Sequence, residues 1–343
     1  MFIHTSSAER KSSSERSRMS RFAISFEDVV DAAAVIAPYA VRTPLLENHE
    51  LNSRCDRRIL IKFEGAQRTG SFKFRGAYNK LARLDAVQRK AGVVAWSGGN
   101  HAQGVAAAAR MLDIPATIVM PDDAPQLKLA NTRALGAKVV TYTRNKEDRE
   151  KIASALAEAT GATLVPSFDD PYVIAGQGTV GLEIAEQTRQ LDAEVGQVLV
   201  SCGGGGLAAG VSTALNRLLP ESLIYAVEPA DFDDTARSLA TGVPESVRGS
   251  PRSICDALLV SAPGALTFPI NRQLLSDVLV VTDEMVRDAM RFAFASLKVV
   301  IEPGGAVALA AVLADLVPPT KGATVVVISG SNVDPGMFSS IIS

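Results

Sequence analysis

Cysteine is scarce in this chain, with Cys55, Cys202 and Cys255 the only three among 343 residues. They are odd in number, far apart and in no CxxC pair. That argues against a disulfide framework or a zinc site and favours a reducing cytoplasm. Charge of one sign is missing as well. The formal net charge is −2 and no basic cluster stands in the body of the chain, so neither nucleic acid nor a membrane surface is expected as a partner. Long hydrophobic runs are also absent. The longest, AVALAAVLADLV at 306–317, carries Asp315 and is too short to span a bilayer.

What is present is an ordinary globular mix, 47% apolar and 21% charged, able to bury a large core. A chain of this length usually divides into two domains or lobes. The first twenty residues stand apart. TSSAERKSSSERSRMSR (5–21) is nearly all Ser, Arg, Lys and Glu and cannot bury enough surface to fold, so 1–20 reads as a disordered extension. It has no apolar stretch of the secretory kind. Glu9 and Glu15 count against an Arg/Ser-rich organellar leader, and a natural start at Met19 is the reading favoured here.

From Ser25 onward, short β-branched runs alternate with helical patterns. The runs are RILIKFE (58–64), GVVAWS (92–97), ATIVMP (116–121), KVVTYT (138–143), QVLVSC (197–202), LIYAVE (223–228), DVLVVT (277–282) and ATVVVIS (323–329). Helices are expected over 101–112, 146–160 and 283–297, the last opening with acids that suit a helix N-terminus. Near-continuous apolar strands between helices imply an α/β fold whose mostly parallel sheets are covered on both faces. Ligands in such folds sit beyond the carboxyl ends of the strands.

Four stretches draw attention. In GSFKFRG (70–76), Lys73 stands between Phe72 and Phe74. Either the amine snorkels to water at a strand-to-helix turn, or it is kept neutral as a nucleophile, since burial lowers a lysine pKa. CGGGGLAAG (202–210) follows a strand and opens a helix, an arrangement that cradles an anion, here read as a phosphate, on backbone N–H groups. Gly204, Gly206 and Ala209 also fit a G-x-G-x-x-A dinucleotide fingerprint, with Glu228 about twenty residues on. That rival implies a nicotinamide oxidoreductase, but it leaves Lys73 and SGGNHAQG (97–104) without work. In SGGNHAQG, Ser97 and the N–H groups at the helix start could receive a carboxylate, and Asn100 could donate to a phenolate-type oxygen. His101 reads as a structural hydrogen-bonder more readily than as a base. SGSN (329–332) closes the last strand.

In this order and at these separations, SFKFRGA, SGGNHAQG, PYVIAGQGTVGLEI (171–184), GGGGL and SGSN resemble the fold-type II pyridoxal-phosphate enzymes. The threonine/serine dehydratase and serine racemase group is the nearest likeness, and it covers roughly 25–343. The resemblance implies a tryptophan synthase β-like fold of two open sheets. Residues 21–90 and 168–343 would form a large cofactor domain and 91–167 a small one, the whole assembling as a homodimer. It implies that Lys73 forms the Schiff base with pyridoxal 5′-phosphate and then serves as base at the substrate Cα, shielded by Phe72 and Phe74. Gly203, Gly204, Gly205, Gly206 and Leu207 would bind the phosphate, Asn100 the ring 3′-oxygen and Ser329 the ring nitrogen. A hydroxyl does not hold that nitrogen protonated as a carboxylate would, which suits loss of a β-hydroxyl better than a long-lived carbanion. Ser97, Gly98, Asn100 and His101 would seat the substrate carboxylate.

EPADFDD (228–234) resembles the divalent-cation loop of the racemase branch. Glu228, the Phe232 carbonyl and Asp234 would hold Mg2+ or Ca2+ in a structural role. A solvated acidic loop is the alternative. The implied activity is a threonine/serine dehydratase acting on a small amino-acid substrate, with serine racemase or 3-hydroxyaspartate dehydratase as the alternatives. Little chain follows SGSN, so the regulatory extension of biosynthetic threonine dehydratases is not expected.

Overall fold

The computed structural model describes residues 22–343 apart from positions 125 and 145. The extension expected at 1–20 lies outside the described residues. Ten strands form among the described residues: β1 (Leu45–Glu47), β2 (Ile59–Phe63), β3 (Val93–Trp96), β4 (Ala116–Pro121), β5 (Lys138–Tyr142), β6 (Thr163–Leu164), β7 (Val195–Ser201), β8 (Leu223–Pro229), β9 (Asp277–Val281) and β10 (Ala323–Ile328). All eight β-branched runs become strands. The two that the sequence did not announce, β1 and β6, are three and two residues long, too short to carry a period.

The strands make two sheets, a six-stranded one in the order β1-β2-β10-β7-β8-β9 and a four-stranded one in the order β5-β4-β3-β6. Only β1 runs antiparallel to its neighbour. β10 lies inside the larger sheet with parallel partners on both sides, and every one of its residues is buried. Burial on both faces is why ATVVVI shows no alternation. The apolar run noted above becomes the helix Pro303–Leu313, buried from Pro303 to Val312. A helix that is apolar all round belongs inside a core, and this one packs on β7, β8 and β10. Among the described residues no helix is long and apolar enough to cross a membrane.

Helix ends follow local chemistry. The helix expected from 146 starts at Arg149, because the Asp148 side chain accepts the N–H groups of Glu150 and Lys151. The one expected over 283–297 is an α-helix only to Phe292. Ala293–Leu297 forms a π-turn that ends in left-handed Lys298, at φ 60°.

A buried ionic network fixes the helix Lys73–Ala82 against the larger sheet. Lys62 of β2 is fully buried, its amine 2.5 Å from Glu183 Oε2 and 2.8 Å from the Thr43 carbonyl. Arg75, also fully buried, donates to both oxygens of Glu64 at 2.8 Å and to Glu183 Oε1 at 2.6 Å. Two cations and two carboxylates balance, which makes burial tolerable. Arg75 lies two residues past Lys73, so the network sets where Lys73 stands.

Candidate active site

Lys73 is the first residue of its helix. The Nζ donates to the Ser167 carbonyl at 2.7 Å and lies 5.2 Å from the centre of the Phe72 ring. Burial lowers the amine to about 8, with Glu302 pulling the other way, and the positive end of the helix dipole also disfavours an ammonium there. Phe74 is buried in the core with its ring 5.6 Å from that of Tyr78.

A cleft of about 560 Å³ brings Lys73 together with Ser97, Gly98, Asn100 and His101, and is closed by Ser167, Phe168, Asp256, Ala257 and Glu302. Ser97 follows β3, and its hydroxyl accepts the Gly99 N–H at 3.2 Å. Asn100 opens the helix Asn100–Met111. Its amide donates to Glu302 Oε1 at 2.5 Å and its carbonyl accepts from Asn332 at 2.7 Å. Glu302 is buried, and desolvation, reinforced by Asp256, pushes its carboxyl up to about 7. His101 Nε2 lies 2.8 Å from the Val165 carbonyl, so that nitrogen carries the proton. Burial and then the Lys73 amine push the ring down to about 3. It is a neutral hydrogen-bonder whose buried Nδ1 has no partner among the described residues.

The glycine loop stands behind Phe168. A Cβ on Gly204 or Gly206 would collide with Phe168, and one on Gly203 would meet the Leu258 backbone at 3.2 Å. Gly205 has φ 86°, a left-handed conformation that suits glycine. Thr267 donates to the Gly204 carbonyl at 2.6 Å and Asn271 to the Gly205 carbonyl at 3.2 Å. The N–H groups of Gly203 to Leu207 find no acceptor among the described residues, at the N-terminus of the helix Gly206–Leu218. Donors without acceptors beside a helix dipole fit a phosphate. A buried amine below the usual lysine range fits an aldehyde. Ser329 is tied to the lysine turn, since its carbonyl accepts the Phe72 N–H at 3.1 Å. This donor set suits pyridoxal phosphate.

Glu228 and Asp234 do not reach the cleft. Glu228 accepts the N–H groups of Thr235 and Ala236 at 3.1 and 3.0 Å, so its carboxylate is turned to a helix start rather than to a nucleotide ribose. That removes the support for the dinucleotide fingerprint. Burial, then Asp234, raises Glu228 to about 8, and burial raises Asp234 to about 7. Both carboxyl oxygens of Asp234 lack a hydrogen-bond partner among the described residues. Among those residues no group of three or more His, Cys, Asp or Glu side chains gathers.

Sequence reasoning missed Glu302, Ser167 and Phe168, and gave Asn332 of SGSN no role. An acid directly before Pro-Gly-Gly at a helix start, without a cap bond of its own, was the signal for Glu302.

Residues 36–330 match the family described as pyridoxal-phosphate dependent enzyme. The chain is 46% identical over 319 residues to an L-threo-3-hydroxyaspartate ammonia-lyase of a Pseudomonas species, covering 93% of this chain and 98% of that protein. It is 44% identical over 321 residues to an L-threonine ammonia-lyase of Thermotoga maritima, covering 93% and 78%. The structure of maize serine racemase superposes with a TM-score of 0.88 at 37% identity, covering 93% of this chain and 97% of that one.

Proposed function

The chain belongs to the pyridoxal-phosphate-dependent enzymes, and on that premise we propose that it is an ammonia-lyase for small β-hydroxy-α-amino acids. L-Threonine and L-serine would give 2-oxobutanoate and pyruvate, each with ammonia. The observation that carries the reading is the Lys73 amine, lowered to about 8 in the same cleft as the Ser97–His101 helix start. When bound, the cofactor supplies a sink for the negative charge that develops at Cα. The chain's own part is to hold and move protons. Lys73, neutral over an accessible pH range, takes the Cα proton. The N–H groups at the start of the helix Asn100–Met111 seat the α-carboxylate, and Gly203 to Leu207 would hold the cofactor phosphate. Asn100 would hold the ring 3′-oxygen and Ser329 the ring nitrogen. Loss of the β-hydroxyl leaves an enamine that water converts to the 2-oxo acid, with ammonia released.

Gly98 favours elimination over racemisation. Return of a proton to the opposite face of Cα needs a second acid, and the resemblance of SGGNH (97–101) to the racemases implies a serine hydroxyl in the place of Gly98. Glycine has none. Other parts of the proposal rest on the sequence. These are a small lobe at 91–167 set against 21–90 with 168–343, a homodimer, and the cytoplasm as compartment. A structural Mg2+ or Ca2+ on Glu228, the Phe232 carbonyl and Asp234 is a further part of the proposal that rests on the resemblance of the sequence EPADFDD.

Lys73→Ala tests the mechanism. The wild-type protein loaded with the cofactor should absorb near the violet edge and release 2-oxo acid. The variant should do neither and keep its fold. Turnover at the wild-type rate in Lys73→Ala would sink the reading.

A further inference from the structure

Thr69 and Gly70, just ahead of Lys73, both take left-handed backbone, at φ 59° and φ 72°. Glycine does so freely, but a β-branched residue resists it, so something must hold the turn. The hold comes from the segment after β10. The Ser331 N–H donates to the Gly70 carbonyl at 2.9 Å, and Asn332 Nδ2 donates to the Thr69 carbonyl at 2.7 Å. The same nitrogen donates to Asn100 Oδ1, also at 2.7 Å. Both of its hydrogens are therefore used, one on the turn that delivers Lys73 and one on the helix Asn100–Met111. Position 70 suits glycine for a second reason, since a Cβ there would stand 2.6 Å from Asn332 Oδ1.

These bonds also decide which way the Asn100 amide faces. A backbone carbonyl can only accept, so the end of the Asn332 amide turned to Thr69 is its nitrogen. That nitrogen also meets Asn100, so the oxygen of Asn100 lies on this side. The nitrogen of Asn100 is left on the other. There one hydrogen goes to Glu302 Oε1 at 2.5 Å, and the second remains for the ring 3′-oxygen of the cofactor. We infer that Asn332 is a positioning residue with two tasks on one nitrogen. It holds the strained turn before Lys73, and it orients the Asn100 amide so that the cofactor is offered a hydrogen and not an oxygen. For its effect on turnover the inference rests on the lyase reading, whereas its effect on the cofactor does not.

The test uses the full chain loaded with pyridoxal phosphate. Asn332→Asp keeps the shape of the side chain, but its carboxylate has no hydrogen to donate. Asn100 should then turn over, giving its NH2 to residue 332 and its oxygen to the ring. The absorbance band near the violet edge should shift, and the dissociation constant of the cofactor should rise at least about tenfold. At saturating cofactor, kcat for L-threonine should fall at least about tenfold with KM little changed. Asn332→Ala should act in the same direction. A role confined to the turn is separated by Thr69→Gly, because glycine takes the left-handed conformation freely. Added to Asn332→Ala, it should recover the melting temperature of the cofactor-free protein but neither cofactor affinity nor kcat. Recovery of affinity and kcat in that double variant would assign Asn332 to the turn alone and overturn the inference. So would an Asn332→Asp protein with the band, affinity and kcat of wild type. If wild type released no 2-oxo acid at all, the lyase reading would fail. The band and the cofactor affinity would then still decide the role of Asn332.

Discussion

Arg75→Met removes one cation from a buried, balanced group of four charges, and its cost can be worked from the structure. Lys62, Arg75 and Glu64 have fully buried side chains and Glu183 is 16% exposed. Two positive and two negative charges sum to zero. The substitution leaves two carboxylates facing Lys62 alone, and Glu64 loses the partner that met both its oxygens at 2.8 Å. Breaking a buried pair from one side costs about 3–5 kcal/mol. With an unfolding entropy near 2.1 cal/mol/K per residue, a chain of 343 residues changes by about 0.7 kcal/mol per degree. The melting temperature should therefore fall by about 4–7 °C, read by calorimetry on protein free of cofactor. Arg75→Met with Glu64→Gln restores neutrality, since Lys62 then faces Glu183, and should be less destabilised than the single variant. A fall below about 1 °C for Arg75→Met would refute the reasoning. So would a double variant less stable than the single one.

Two further outcomes follow from the site and the acidic pair. With L-serine or L-threonine taken to partial conversion, chiral analysis of the remaining amino acid should find little or no D-enantiomer. Substantial D-serine would mean that a group other than residue 98 supplies the second proton. Glu228 and Asp234 are held at about 8 and about 7, above ordinary carboxyls, so the folded protein keeps protons that the unfolded chain has released. Their stabilising contribution is complete below the ordinary carboxylate range and is lost as pH rises through 7 to 8. A divalent cation would replace those protons. Magnesium or calcium should thus raise the melting temperature at pH 8 and have little effect at pH 5. Glu228→Gln with Asp234→Asn should remove the response, and melting curves at pH 8 unchanged by chelator or metal would count against the cation.

The sequence by itself determined the eight principal strands, because burial on both sides of a parallel sheet writes itself as a local run of Val, Ile and Leu. It also determined the glycine loop. A left-handed residue and backbone approached as closely as Phe168 approaches Gly204 admit little but glycine. Lys73 stood out by its setting between aromatic residues, but that setting left snorkelling open and only the resemblance pointed to the Schiff base; the fold then placed Phe72 beside the amine and Phe74 in the core. What the tertiary structure alone decided are pairings across long stretches of chain. Asn100 meets Glu302 across 202 residues, and Lys73 meets the Ser167 carbonyl across 94. No periodicity records such neighbours. They arise when strands distant in sequence bring their carboxyl ends to one cleft, and the burial created there gives Lys73 and Glu302 their shifted pKa values.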